Sequence, residues 1–204
     1  DRLIAVDEAG RVLTGDQLLA IGARLLHKRG QLWNNVLVST VMSNIGLKQA
    51  LRSMGVLHVT CDVGDRHVME KMTECESALG GEDSGHIIYK AYHSTGDGLL
   101  SALKLMEALQ EDDRPLSELA QFMTVYPQAL VNVPVKEKPD LGHLAGVGDP
   151  IRAAEQQRGK QGRGLGRYAG TQLMCRVMVE GPTREVTEDC AHNIAVVVAD
   201  TIGE

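Results

Sequence analysis

Apolar and polar positions change period several times along the chain, and each change marks an element. Residues 3–6 and 11–13 are short strand-like runs, and Asp7-Glu8-Ala9-Gly10 between them favours a turn, which predicts a hairpin. From Gly15 the spacing becomes helical: Leu18, Leu19, Ile21, Leu25 and Leu26 recur on one face, with Asp16 placed to cap the start and Gly30 to stop the end. A β-branched run at 36–41 is followed by a helix over 45–54 closed by Gly55, a strand over 56–61, a helix over 65–78 and a strand over 86–89. Further helices over 98–109 and 116–123 complete this part. Strands alternating with helices predict a layered α/β unit.

After Tyr126-Pro127 the pattern shifts. Residues 129–135 alternate, a polar Lys/Glu/Pro/Asp stretch follows, and 159–170 is rich in glycine and basic residues. Partial alternation over 174–180 and a helical pattern over 184–202 close the chain, which predicts a second, smaller α+β domain. No internal repeat or long low-complexity tract is present.

A length of 204 residues suffices for one large domain or two smaller ones, each with a real core. One Trp, one Phe, four Tyr and a net charge of −6 offer neither a base-stacking surface nor a basic footprint, so nucleic acid is excluded as a partner. A small anionic ligand needs only a local cluster of donors and is not excluded. No apolar run reaches the ~20 residues that span a bilayer, and the start resembles no signal peptide, so no membrane association is expected. Cys61, Cys75, Cys175 and Cys190 are widely spaced in apolar surroundings, which favours buried thiols in a reducing, cytoplasmic protein over a metal site. An opening on Asp1-Arg2 without Met reads as a fragment or a cleaved product.

Candidate chemistry concentrates in Gly80-Gly81-Glu82-Asp83-Ser84-Gly85-His86. Flanking glycines free the backbone to turn tightly, so that a carboxylate, a hydroxyl and an imidazole can reach one spot. Glu82 can accept from two sugar hydroxyls, Ser84 can donate or accept, and His86 can do either or pair with a phosphate. The same residues would equally serve a solvated helix-to-strand turn. Asp65 reads as a cap for the following helix and Arg66 as a solvated first-turn residue. His27, His58, His67, His93, His143 and His192 show no metal-ligand spacing.

Gly81-Glu82-Asp83-Ser84-Gly85-His86 resembles the Gly-Glu-x-Ser-Gly-His loop by which α-D-phosphohexomutases read sugar hydroxyls. Val41-Met42-Ser43-Asn44, Val63-Gly64-Asp65-Arg66 and Ser94-Thr95-Gly96-Asp97-Gly98 stand in the matching order and resemble the phosphoglucosamine branch of that superfamily. Asp1-Arg2 resembles the end of its Asp-Gly-Asp-x-Asp-Arg metal loop, which makes Asp1 a Mg²⁺ ligand and Arg2 an active-site cation in a complete enzyme. Arg167-Tyr168-Ala169-Gly170-Thr171-Gln172 resembles its Arg-x-Ser-Gly-Thr-Glu-Pro phosphate loop, with Arg167, Gly170 and Thr171 as phosphate-holding residues. Ala169, Gln172 and Leu173 depart from that pattern, and the missing serine hydroxyl costs about 1–3 kcal/mol of phosphate affinity. Arg176 is read as a structural partner of the final strand.

The resemblance implies the tail of a second domain over 1–14, a sugar-binding α/β sandwich over 15–124 and a phosphate-binding α+β domain with an antiparallel sheet over 125–204. Glu82, Ser84, His86, Asp65 and Arg66 would bind substrate. The implied reaction interconverts glucosamine 6-phosphate and glucosamine 1-phosphate through a phosphoserine and a bisphosphorylated sugar, with Mg²⁺ as cofactor and a homodimer as an allowed assembly. The phosphoserine is not in this chain, so the chain alone is expected to be inactive. Rival readings are a phosphomannose or phosphoglucose mutase and a non-catalytic phosphosugar-binding protein.

Overall fold

A computed structural model describes residues 1–141, 162–169 and 172–204. The chain divides into two compact units, Asp1–Val125 and Tyr126–Glu204.

In the first unit, Thr14 rather than Asp16 caps α1 (Gly15–Lys28). Its hydroxyl accepts from Gln17 N and the Gln17 side chain accepts from Thr14 N, a reciprocal capping box. Asp16 lies inside the helix, fully buried, and its Oδ2 accepts from Asn44 N at 2.6 Å. The predicted N-terminal hairpin is reduced to a single bridge, Val6 to Val12.

The sheet is built around β1 (Val36–Thr40), buried along its whole length. β2 (Leu57–Cys61) and β3 (Leu79–Gly81) pair with it in parallel on either side, and β4 (Ile87–Tyr89) pairs antiparallel with β3, giving the order β2-β1-β3-β4. A strand with both faces covered favours a run of apolar side chains, which Val36, Leu37 and Val38 supply. Leu37, Leu79 and Ile87 pack on one face with Leu19, Leu47 and Leu51 from α1 and α2 (Ile45–Ser53), while Val36, Val38 and Ile88 pack on the other with Val68 and Met72 of α3 (Asp65–Glu74). The unit is therefore a sheet between two helical layers, completed by α4 (Gly98–Asp112) and α5 (Leu116–Ala120).

α3 stops earlier than its sequence pattern predicts, and β3 follows where a loop is expected. Glu76 takes a left-handed conformation (φ 50°) and Ser77 Oγ donates to the carbonyls of Val36 and Leu79, so the chain turns into the sheet. Two of the three β3 residues are glycine, and both positions are tight. A Cβ on Gly80 would lie 2.5 Å from Met72 Sδ and 2.9 Å from the Val38 carbonyl, and one on Gly81 would lie 2.4 Å from the His86 carbonyl.

In the second unit β5 (Gln128–Pro134), β6 (Arg163–Tyr168) and β7 (Met174–Glu180) form an antiparallel sheet in the order β5-β7-β6. Strand alternation turns Val133, Cys175, Val177 and Val179 toward α6 (Arg184–Ile202), which meets them with Ala191, Ile194, Ala195, Val198 and Ile202. Among the described residues no helix is long and apolar enough to cross a membrane.

Candidate functional site

All three parallel strands of the first unit end at the same edge. β1 runs into residues 41–44, β2 into 62–64 and β3 into 82–86, so three of the sequence motifs meet at the carboxyl ends of the strands. Open α/β sheets characteristically bind ligands there.

Glu82 is half-buried, while Asp83 and Ser84 are exposed. Glu82 Oε1 accepts from Gly64 N at 3.0 Å, which joins the 63–66 turn to the 81–86 loop. Gly64 has φ 130°, a region that side-chain-bearing residues rarely enter, so only glycine offers its N–H here without strain. The loop closes on itself through Glu82 N to the His86 carbonyl (2.9 Å) and Gly85 N to the Glu82 carbonyl (3.1 Å). The start of α1 grips it from outside: Gly15 N donates to the Asp83 carbonyl at 2.9 Å and Asp16 N to Asp83 Oδ1 at 3.2 Å.

His86 is placed differently from Glu82 and Ser84. Its residue is 4% exposed, and Nε2 accepts from Gly96 N at 3.2 Å. An accepting Nε2 puts the hydrogen of the neutral ring on Nδ1, which lies 3.6 Å from Asp1 Oδ2. The 94–98 motif thus folds onto the imidazole, and a Cβ on Gly96 would lie 2.5 Å from the ring. Asp97 caps α4 by accepting from Leu99 N and Leu100 N, and the Leu100 N–H leads the contacts that hold its carboxyl below the usual carboxylate range. Asn44 similarly caps α2 through Gly46 N.

Asp65 does not cap α3; Gly64 stands at that position, and Asp65 Oδ1 accepts from Arg66 N at 2.8 Å. Arg66 is 84% exposed in its side chain and pairs with Glu70 at 2.9 Å. Burial first, then the Asp62 and Glu82 charges, pushes the Cys61 thiol up to about 11. Asp1 and Arg2 are exposed. Among the described residues no group of three or more His, Cys, Asp and Glu could hold a metal ion, so Asp1 does not by itself make a Mg²⁺ site. Ser39 and His58 are 2.7 Å apart, but Ser39 is fully buried in β1 and out of a substrate's reach.

In the second unit Gly170 and Thr171 lie outside the described residues. Arg167 stands directly opposite Arg176, with Asn132 on the other side of Arg176, all on the sheet face turned away from α6. Four residues further along, beyond the row of Leu130, Met178 and Leu165, Arg163 meets the buried Glu180 at 2.5 Å, and Gln128 donates to the same carboxylate at 3.3 Å. One row of this face thus pairs Arg163 with Glu180, and the row four residues away places two arginines opposite each other. The Arg176 Nε is buried and no described residue accepts from it. Lys138 Nζ donates to the Ala169 carbonyl at 2.6 Å, just beyond the end of β6. Lys138 has no signal in the sequence beyond a place in a polar stretch.

A sheet layered between helices, followed by a helix-backed three-stranded antiparallel sheet, defines the class as an α/β unit joined to a smaller α+β unit. Residues 14–126 match the family model "Phosphoglucomutase/phosphomannomutase, alpha/beta/alpha domain III", and residues 130–197 match "Phosphoglucomutase/phosphomannomutase, C-terminal domain". The chain belongs to the phosphoglucomutase/phosphomannomutase family. Among curated relatives, phosphoglucosamine mutase of Syntrophobacter fumaroxidans is 52% identical over 203 residues and that of Syntrophus aciditrophicus 48%. Each alignment covers 100% of this chain and 45% of the relative, so the chain spans about half the length of the proteins it matches. Among solved structures, Aspergillus fumigatus N-acetylphosphoglucosamine mutase in complex with glucose 1,6-bisphosphate has a TM-score of 0.76 at 21% identity, covering 98% of this chain and 46% of that one. The same mutase in complex with GlcNAc-6P and magnesium also gives 0.76, over 97% and 46%. At these identities the likeness concerns the fold.

Proposed function

We propose that the chain is the C-terminal part of a phosphoglucosamine mutase, in which the first unit reads the sugar and the second holds a phosphate. The observation that carries the sugar half is Glu82: one oxygen is fixed by Gly64 N, and the carboxylate stands beside the exposed Ser84 at the strand ends. A carboxylate held on one oxygen keeps the other for sugar hydroxyls without losing its position. Asp65 and the exposed Arg66 lie one turn away, where Arg66 can exchange Glu70 for a ligand oxygen.

The phosphate half rests on Arg167 with Gly170 and Thr171, and the opposing arginines add Arg176 to that set. A phosphate could take paired charge-assisted hydrogen bonds from two guanidiniums that stand opposite each other on the sheet. None of these residues is a nucleophile. They bind, orient and stabilise charge on a transferring phosphoryl group whose acceptor and donor serine lies elsewhere in the complete protein. Mg²⁺, when bound, would offset phosphoryl charge, with Asp1 as one ligand among others. A reducing cytoplasm suits four free cysteines.

The test is turnover by the complete protein on glucosamine, glucose and mannose 6-phosphates, with the glucosamine ester expected to give the highest kcat/KM. Glu82→Ala should lower kcat/KM by about 100-fold, since a buried or half-buried group bonding a substrate hydroxyl is worth a few kcal/mol. The 204-residue chain alone should bind sugar phosphate and not turn it over. Equal rates on all three sugars, or an unaffected Glu82→Ala enzyme, would sink the reading.

A non-catalytic phosphosugar binder is favoured by one observation: Ala169, in the place of a serine, is buried and its N–H is taken by the Met174 carbonyl at 2.9 Å. Binding by the complete protein with no turnover on any of the three esters would select it.

A further inference from the structure

We infer that Asp83, at the variable position of the Glu82–His86 loop, is a positioning residue that sets Glu82 by docking the loop on the first turn of α1, and that Gly15 is the surface on which it docks. The inference rests on the sugar-binding reading of Glu82 but concerns how the loop is held.

Asp83 is exposed and borders Glu82 and Ser84, so from its place alone it would pass as another ligand-facing acid. Its bonds point elsewhere. Its carbonyl accepts from Gly15 N and its Oδ1 from Asp16 N. These are first-turn amides of a helix, donors with no partner inside the helix, at the end where the helix dipole favours a negative charge. One residue therefore satisfies two orphan amides with a backbone and a side-chain oxygen.

Close approach is what makes this possible. A Cβ on Gly15 would lie 2.4 Å from the Glu82 carbonyl oxygen, 2.5 Å from the Asp83 carbonyl oxygen and 2.6 Å from the Asp83 carbonyl carbon. The glycine is thus the seat of the loop backbone, because any side chain there would lift the loop off the helix.

The same turn of α1 reaches the neighbouring strand end. Asp16 Oδ2 accepts from Asn44 N, and Asn44 caps α2. On the far side Glu82 reaches Gly64 before α3. The anchor at Asp83 therefore places Glu82 at the distance where Gly64 N can hold it. Releasing Asp83 removes the support that Glu82 needs, although the Asp83 carboxylate itself touches neither sugar nor phosphate.

The Gly64 amide reports this coupling without any ligand. Hydrogen exchange on the 204-residue chain should show Gly64 exchanging about 10-fold faster in Asp83→Ala, with Asp83→Asn, which keeps an Oδ1 acceptor, close to the parent. Gly15→Ala should accelerate Gly64 in the same way, with no ligand-facing side chain altered chemically. Leu37 and Leu51 amides in the core should not change in any variant. Unchanged Gly64 exchange in both Asp83→Ala and Gly15→Ala would overturn the inference, as would equal acceleration at Gly64 and Leu37, which marks general destabilisation. A titration with glucosamine 6-phosphate separates the two levels: silent Glu82 and Ser84 amides in the parent refute the binding reading, whatever Gly64 does. If they do respond, Asp83→Ala should weaken binding about 10-fold and Asp83→Asn should restore it.

Discussion

Gly80 and Cys61 show how single positions on this sheet edge are constrained. Gly80 sits where a methyl group would overlap Met72 Sδ and the Val38 carbonyl. Met72 can give way and the β1 backbone cannot, so Gly80→Ala should lower unfolding free energy by about 1–3 kcal/mol in urea titrations, in the range of overpacked cores. Cys61 hands its proton toward the Ser39 carbonyl at 3.5 Å and sits beside Asp62 and Glu82. Its thiol, raised from 9.0 to about 11, stays protonated near neutrality. Because the thiolate is the nucleophile, iodoacetamide at pH 8 should label Cys61 about 100-fold more slowly in the folded than in the urea-unfolded chain. A raised folded pKa contributes stability below pH 9 that is lost as pH rises from 9 through 11. Equal labelling rates in the two states would show that burial does not raise the thiol.

At the scale of elements, α1 and α4 are clasped by charges from opposite ends of the unit. Arg24 meets Asp112 at 3.0 Å, Lys28 meets Glu111 at 3.1 Å, and Arg29 meets Glu107 at 2.6 Å and Glu111 at 2.7 Å. Lys104 lies between Tyr92 Oη and Glu107, 2.9 Å from each, with only 6% of its side chain exposed. Lys104 and then Arg29 hold the Glu107 carboxyl below the usual 4.5, and Arg29 and then Lys28 do so for Glu111. Lowered carboxylate pKa values contribute stability that is present above pH 4.5 and lost as pH falls through the folded values. The midpoint of thermal unfolding should therefore drop more steeply below pH 4.5 in the parent than in Arg29→Ala, and a parallel pair of curves would show the clasp to be inert. This clasp also explains a difference in length. Apolar periodicity ends α4 at 109, whereas the helix runs to Asp112 and stops at left-handed Asp113 (φ 50°). Its last turn is held by cations some 80 residues earlier in the chain, a relation that no local window contains.

In the whole molecule each unit closes its own core, one around β1 and the other between α6 and its three-stranded sheet. Ile194 is 2% exposed in the second core, so Ile194→Ala should cost about 2–5 kcal/mol there. Amide exchange should then rise across β5, β6 and β7 and stay unchanged in α1 and β1; a rise in both units would mean that they unfold together. The final helix and β7 match their predicted spans because each carries its period in its own residues. β3 and β6 escaped the pattern because glycine has weak strand preference, and both exist through partners supplied by β1, β4 and β7. The motif residues were legible as a set, but their division of labour was not. Sequence determined the helical faces, the turn chemistry and the ordered motifs that mark the family, since these depend on neighbours a few residues apart. Only the tertiary structure decided that Glu82 is held by Gly64, that His86 is buried under Gly96 and that Arg167 faces Arg176. Those relations are hydrogen bonds and register across sequence-distant segments, which exist only once the backbone has closed its sheets.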